Sequence, residues 1–177
     1  GADVLARLML EDRSLTRRLL RVSTLGHLGD YDAWNSLVRL TSDKDGLLSL
    51  AAARALTRID GAAALPVILP PLSERDDWSK NYVLAMLMDL GADIVSKPLT
   101  QAALQVPIER AERLLQYFTV AQIADAVPVV RQIIQRTKSA ECLAACLRVF
   151  VDVDDLDTVR EYVHHPSWHV RVQAVNV

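Results

Sequence analysis

The sequence predicts an all-α chain that stacks about five helix pairs, with partial pairs at its ends, into an α-α superhelix. Three observations carry that prediction: a hydrophobic register that recurs every 31 residues, helical stretches parted by short Gly- and Asp-containing turns, and no sustained period-2 alternation. Aromatic residues make up only 5% of the chain. Ala and Leu dominate in place of the β-branched and aromatic residues that sheets favour.

The register aligns without gaps over four units. One column reads Leu25, Leu56, Leu87, Phe118; a second Leu28, Ile59, Leu90, Ala121; a third Ala33, Ala64, Val95, Ala126. Leu37, Ile68, Leu99 and Val130 form a fourth, and Thr41, Leu72, Ala103 and Ile134 a fifth. A further step shortened by two residues brings in Val159 and Val163, and sets Val170 and Ala174 under Leu48 and Ala52. Arg17 and Arg110 break the Leu48 and Val170 column, so the first and fourth units are expected to pack differently.

Within each unit the pattern is helix, turn, helix, turn. First helices are predicted near 15–28, 47–59, 78–90, 109–121 and 139–151, and their partners near 31–42, 62–73, 93–105, 124–137 and 155–164. An opening helix near 3–11 and a closing one from 168 are unpaired. Gly29 and Gly61 are expected to supply the positive φ that ends a helix, and Asp30, Asp93 and Asp125 to cap the next. The chain 1–177 is thus expected to be a single array with repeats at about 15–42, 47–73, 78–105, 109–137 and 139–164 and a partial one at 168–177. That last segment has the pattern of a first helix whose partner is missing. With no initiator Met, it makes the chain an expected fragment of a longer protein.

The stretches "LAAARALTRIDGAAALPVILPPL" at Leu50 to Leu72 and "SWHVRVQAV" at Ser167 to Val175, with its Val170-Arg171-x-x-Ala174 pattern, resemble the short HEAT-like repeats common in bacterial proteins, related to the phycobilisome-lyase HEAT-like class. The resemblance covers nearly the whole chain. It implies a HEAT-like solenoid whose second helices line the concave surface. Longer HEAT or armadillo units of about 40–47 residues, and the signatures of ankyrin and tetratricopeptide repeats, are not matched.

Composition narrows the function. Basic and acidic residues nearly cancel, 20 against 22. They are also evenly spread, with net +1 over 1–60, zero over 61–138 and −3 over 139–177. No basic stripe of the kind nucleic acid requires is visible. The longest apolar run, Ala62 to Leu72, is interrupted by Pro66, Pro70 and Pro71 and is far short of the roughly 20 residues of a membrane span. A cytoplasmic location is expected, although a parent chain could carry an anchor or signal outside this stretch.

Catalytic and metal-binding chemistry finds little support. Cys142 and Cys146 lie one helical turn apart, with β-carbons about 5–6 Å apart where a disulfide prefers about 3.8 Å, so both are expected in the core. His164, His165, His169 and Glu161 cluster at a turn that Pro166 interrupts, with no zinc-protease spacing. "VDVDDLD" at Val151 to Asp157 lacks the glycine and the final glutamate of a calcium loop, and Asp154 or Asp155 capping a helix explains it better. Arg13, Arg17 and Arg21 share one side of a helix whose apolar partners are Leu15, Leu19, Leu20 and Val22; they read as a solvated face, as does His27. Trp34, Trp78 and Trp168 are assigned core or capping roles. No enzyme activity and no cofactor are expected.

Function is then expected on the exposed positions of the second helices: Arg39, Val67, Pro70, Lys97, Pro98, Gln101, Val129 and Gln132. This neutral, partly apolar strip suits a protein or peptide partner better than phosphate, and the chain is expected to be a non-catalytic interaction scaffold. The resemblance admits two alternatives: nucleic-acid binding or repair, as in HEAT-like alkylpurine DNA glycosylases, and a phycobilin-lyase-like accessory role.

Overall fold

The computed structural model describes residues 4, 11–73, 80–120, 123, 126–152 and 156–175. Every regular element among them is helical. By its internal contacts the chain divides into two compact units, residues 1–90 and 91–177.

In the first unit, α1 (Leu15–Leu28) ends at Gly29, whose φ of 65° is open to glycine without the penalty a Cβ would bring. Asp30 accepts a hydrogen bond from the Asp32 amide and starts a 3-10 turn, Tyr31–Ala33, that runs into α2 (Trp34–Leu40). Asp45 caps α3 (Gly46–Ile59) through the Leu48 amide. Asp60 then ends α3 in extended backbone and caps α4 (Gly61–Leu72) through the Ala63 amide. The last helix of the unit is α5 (Lys80–Leu90). Packed around α3 are α1, α2, α4 and α5, so the first helices α1, α3 and α5 lie side by side.

The second unit repeats the plan. Gly91, at φ 83°, leads into α6 (Ala92–Gln105), followed by α7 (Ile108–Val120) and α8 (Ala126–Arg136). Ser139 accepts from the Cys142 amide at 3.1 Å and opens α9 (Ala140–Asp152). After it come the short α10 (Leu156–Arg160) and α11 (Trp168–Val175). Here α9 is the centre, against α7, α8, α10 and α11, while α6 packs on α7 and α8.

This packing explains the 31-residue register. Within each unit equivalent positions on neighbouring helices are buried alike: Leu25, Leu56 and Leu87 in the first and Phe118 in the second, and likewise Ala33, Ala64, Leu37 and Ile68 in the first and Val95, Ala126, Leu99 and Val130 in the second. Leu48, Ala52, Val159, Val170 and Ala174 are buried too. In the fifth column Thr41 and Ala103 are buried and Ile134 is half-buried; the Thr41 hydroxyl donates to the Val38 carbonyl at 2.7 Å, and the Thr41 carbonyl accepts from the buried Ser49 hydroxyl. Arg17 is exposed where Leu48 and Val170 are buried, so the first unit does depart from the others.

Several expectations are corrected. Gly61 has no positive φ; it opens α4, and a Cβ there would meet the Leu90 side chain at 2.5 Å, so its role is room for packing. Asp93 lies inside the first turn of α6, where its charge complements the helix dipole, and does not cap it. The column of Leu28, Ile59 and Leu90 sits at helix ends: Leu28 is exposed and the other two are half-buried. Leu20 is also exposed. The fifth second helix is only Leu156–Arg160, continued by turns to residue 164. Expectations for Trp78, Ala121, Asp125, Asp154, Asp155 and Val177 lie outside the described residues, as does most of the 3–11 helix.

Candidate protein-binding surface

The outward side of the second helices is fixed by their buried side. In α8 the buried stripe is Ala126, Val129, Val130 and Ile133, an i, i+3, i+4, i+7 set, which leaves Arg131 and Gln132 exposed. Val129 therefore belongs to the core edge, and its expected place in the exposed strip is corrected. In α6 Lys97 and Gln101 are exposed and Pro98 half-buried, above the buried Val95, Leu99, Ala102 and Ala103. Because α6 packs beside α8, Lys97, Gln101, Arg131 and Gln132 share one unit's second-helix side.

The first unit carries Arg39, exposed on α2, and α4, whose sequence GAAALPVILPPL contains no polar side chain at all. Leu65, Ile68, Leu69 and Ala64 fill its buried side. Ala62, Ala63 and Pro66 are exposed, and Val67, Pro70 and Pro71 are half-buried. Pro66 lacks the amide that would bond the Ala62 carbonyl, and Ala62 is open to water, which can take that carbonyl's place as partner. The result is an outward helix face without charge or side-chain hydrogen bonds.

The arginines of α1 are tied up internally. Arg21 meets Asp12 at 2.7 Å, Arg17 approaches the same carboxylate at 3.8 Å, and Arg18 meets Asp43 at 2.9 Å. The amide of Ser14 together with these guanidiniums holds the Asp12 carboxyl below the ordinary aspartate value. Trp34 is half-buried and stacks on Tyr31, with centroids 5.7 Å apart. Trp168 opens α11 as expected but is exposed and stacks on His169 at 3.8 Å, because Val170 and Ala174 take the buried side of that helix.

Two depressions accompany these surfaces. In the second unit a cavity of about 400 Å³ is lined by Glu109, Glu112, Arg136, Lys138 and Cys142, among others. Cys142 and Cys146 are free and buried. The hydrogen bond from the Cys146 thiol pulls Cys142 below the ordinary thiol value, and the same bond, with burial, pushes Cys146 up. Cys142 lines the cavity together with Glu109 and Glu112, whose charges oppose its ionisation. A smaller cleft of about 200 Å³ in the first unit is lined by Arg54, Tyr82, Ala85, Met86 and Asp89.

Among the described residues no three His, Cys, Asp or Glu side chains gather at metal-holding distance. His165 is committed to the Ser167 amide at 3.1 Å. No helix among the described residues is long and apolar enough to cross a membrane. Sequence reasoning missed one cluster, in which His27 meets Arg58 and Arg54 meets Tyr82. The signal was present, since His27 and Arg58 stand 31 residues apart. No family model matches the chain, and no curated protein matches its sequence.

Proposed function

We propose that the chain is a non-catalytic interaction scaffold, a HEAT-like α-α superhelix whose second helices line a concave face and bind a partner protein or peptide. The single observation that carries this reading is α4, a helix with no polar side chain that nevertheless leaves Ala62, Ala63 and Pro66 exposed. A face of this kind gains by excluding water against another apolar surface. It offers phosphate nothing, whereas nucleic-acid binding needs a row of cationic contacts.

The test is Pro66→Arg, made alone and together with Arg39→Glu and Gln101→Glu. Replacing an exposed proline inside a helix should leave the thermal midpoint unchanged or raised, while quantitative co-purification of a partner from the source cells should fall. Retained capture by the triple variant at unchanged stability would remove the second-helix face from consideration.

A further inference from the structure

We infer that the outward face of α1, α3 and α5 is a separate docking site for an acidic, partly apolar peptide segment, held by Arg54 and Arg58. The two guanidiniums lie one turn apart on α3 and so project from the same side of the helix. Neither has a carboxylate partner among the described residues. Arg54 donates to the Tyr82 hydroxyl at 3.4 Å and sits 5.8 Å from that ring's centroid. Arg58 lies 3.3 Å from each ring nitrogen of His27. Arg17, Arg18 and Arg21 of the same unit, in contrast, all face Asp12 or Asp43. Guanidinium groups match carboxylates by paired hydrogen bonds, and here the two hydrogen-bond only to the aromatic side chains of Tyr82 and His27 among the described residues.

The surroundings define the rest of the ligand. Leu20 and Tyr82 are exposed at 68% and 51%, and with Ala51 they form one 31-residue column; His27, Arg58 and Asp89 form another. Since α1, α3 and α5 pack side by side, such columns run across the three helices as ladders, and the His27–Arg58 contact is one rung. The cleft of about 200 Å³ lies between α3 and α5, with Ala85 and Met86 as its apolar lining and Arg54 at its edge. An apolar side chain fits there while flanking carboxylates reach Arg54 and Arg58. Two cations do not make a phosphate-tracking stripe, and Asp89 on the cleft opposes a polyanion. The geometry points to a peptide.

The experiment titrates the full 177-residue chain, by calorimetry and by amide chemical shifts, with a synthetic helix-forming peptide that alternates Leu and Glu at helical spacing. Binding is expected with shifts centred on residues 54, 58, 82 and 85. It should weaken about tenfold in Arg54→Gln/Arg58→Gln, weaken with added salt, and strengthen in Asp89→Asn. No binding, equal binding of a Gln-for-Glu peptide, or an unchanged Kd in the double variant overturns the inference. So does preferential binding to phosphatidylserine vesicles, or displacement of the peptide by sodium phosphate. Shifts centred on Ala63 and Val67 overturn it while favouring the second-helix face, so the two proposals fail separately. A melt of each variant verifies folding, and the salt and Asp89→Asn arms decide the matter if the double variant unfolds.

Discussion

Between α1 and α3, in residues 1–90, the helices meet through small residues: a Cβ built on Gly26 would stand 2.7 Å from the Ala55 Cα, and Ala52, Ala53 and Ala55 are buried nearby. In residues 91–177 α7 and α9 also pack together, but the side chains these helices bury include large ones, Leu114, Leu115 and Phe118 from α7 and Leu147 and Phe150 from α9. Both pairs follow the same 31-residue register, and Leu25 and Phe118 occupy the same column. The register therefore specifies which side of a helix is covered. It leaves open how closely two backbones approach, which is set by the volume placed between them.

The comparison can be broken most severely in the second unit. Phe150→Ala empties a fully buried position and is expected to cost about 3–5 kcal/mol, read by urea denaturation. Hydrogen exchange should show the loss of protection concentrated in α7, α9 and α11. In the first unit the damaging change runs the other way. Gly26→Val must push the α3 backbone aside and is expected to cost about 1–3 kcal/mol, with exchange rising in α1 and α3. If Gly26→Val proves neutral, the close approach of α1 and α3 is wrong.

A smaller effect tests the turns. The Ala63 amide and the Tyr31 hydroxyl, which reaches it at 2.5 Å, hold the Asp60 carboxyl below its ordinary value. With the folded value below the unfolded one, this stabilisation is complete above the unfolded carboxylate range and is lost as pH falls through the folded value. Asp60→Ala should lower the thermal midpoint by roughly 2–4 °C at neutral pH, and the gap to the unaltered chain should close below about pH 4. A gap constant from pH 7 to pH 2 would show that the charge contributes nothing. The smallest effect belongs to Arg39→Glu with Gln101→Glu, both at exposed positions, for which stability should change by no more than about 0.5 kcal/mol.

The buried columns were legible in the sequence because burial on a helix repeats with the packing that causes it. Leu37, Ile68, Leu99 and Val130 needed no coordinates to be found together. What was not legible depends on a neighbour's position. Val129 lies at the edge of the buried stripe, and only the packing of α8 decides its side; Trp168 is apolar enough for a core, but the first position of α11 faces away from α9. Gly61 and Gly29 look alike in sequence, yet one answers to Leu90 across the interface and the other to its own φ. Of the expected strip, Arg39, Lys97, Gln101 and Gln132 are exposed as read. The Arg54 and Arg58 face was overlooked because single arginines on helices ordinarily pair with nearby carboxylates, and here the neighbours are Tyr82 and His27.

The repeat itself is tested most directly by lengthening it. A chain in which residues 47–77 are duplicated in tandem adds one full 31-residue period and keeps every column in register. If each unit is completed by its neighbours, the longer chain should fold cooperatively, gain helical circular dichroism in proportion to the added residues, and unfold at a urea midpoint no lower than that of the 177-residue chain. A duplicated chain that aggregates or loses its cooperative transition, while one carrying a scrambled insert of equal length folds as well as the original, would contradict a core built from interchangeable 31-residue units.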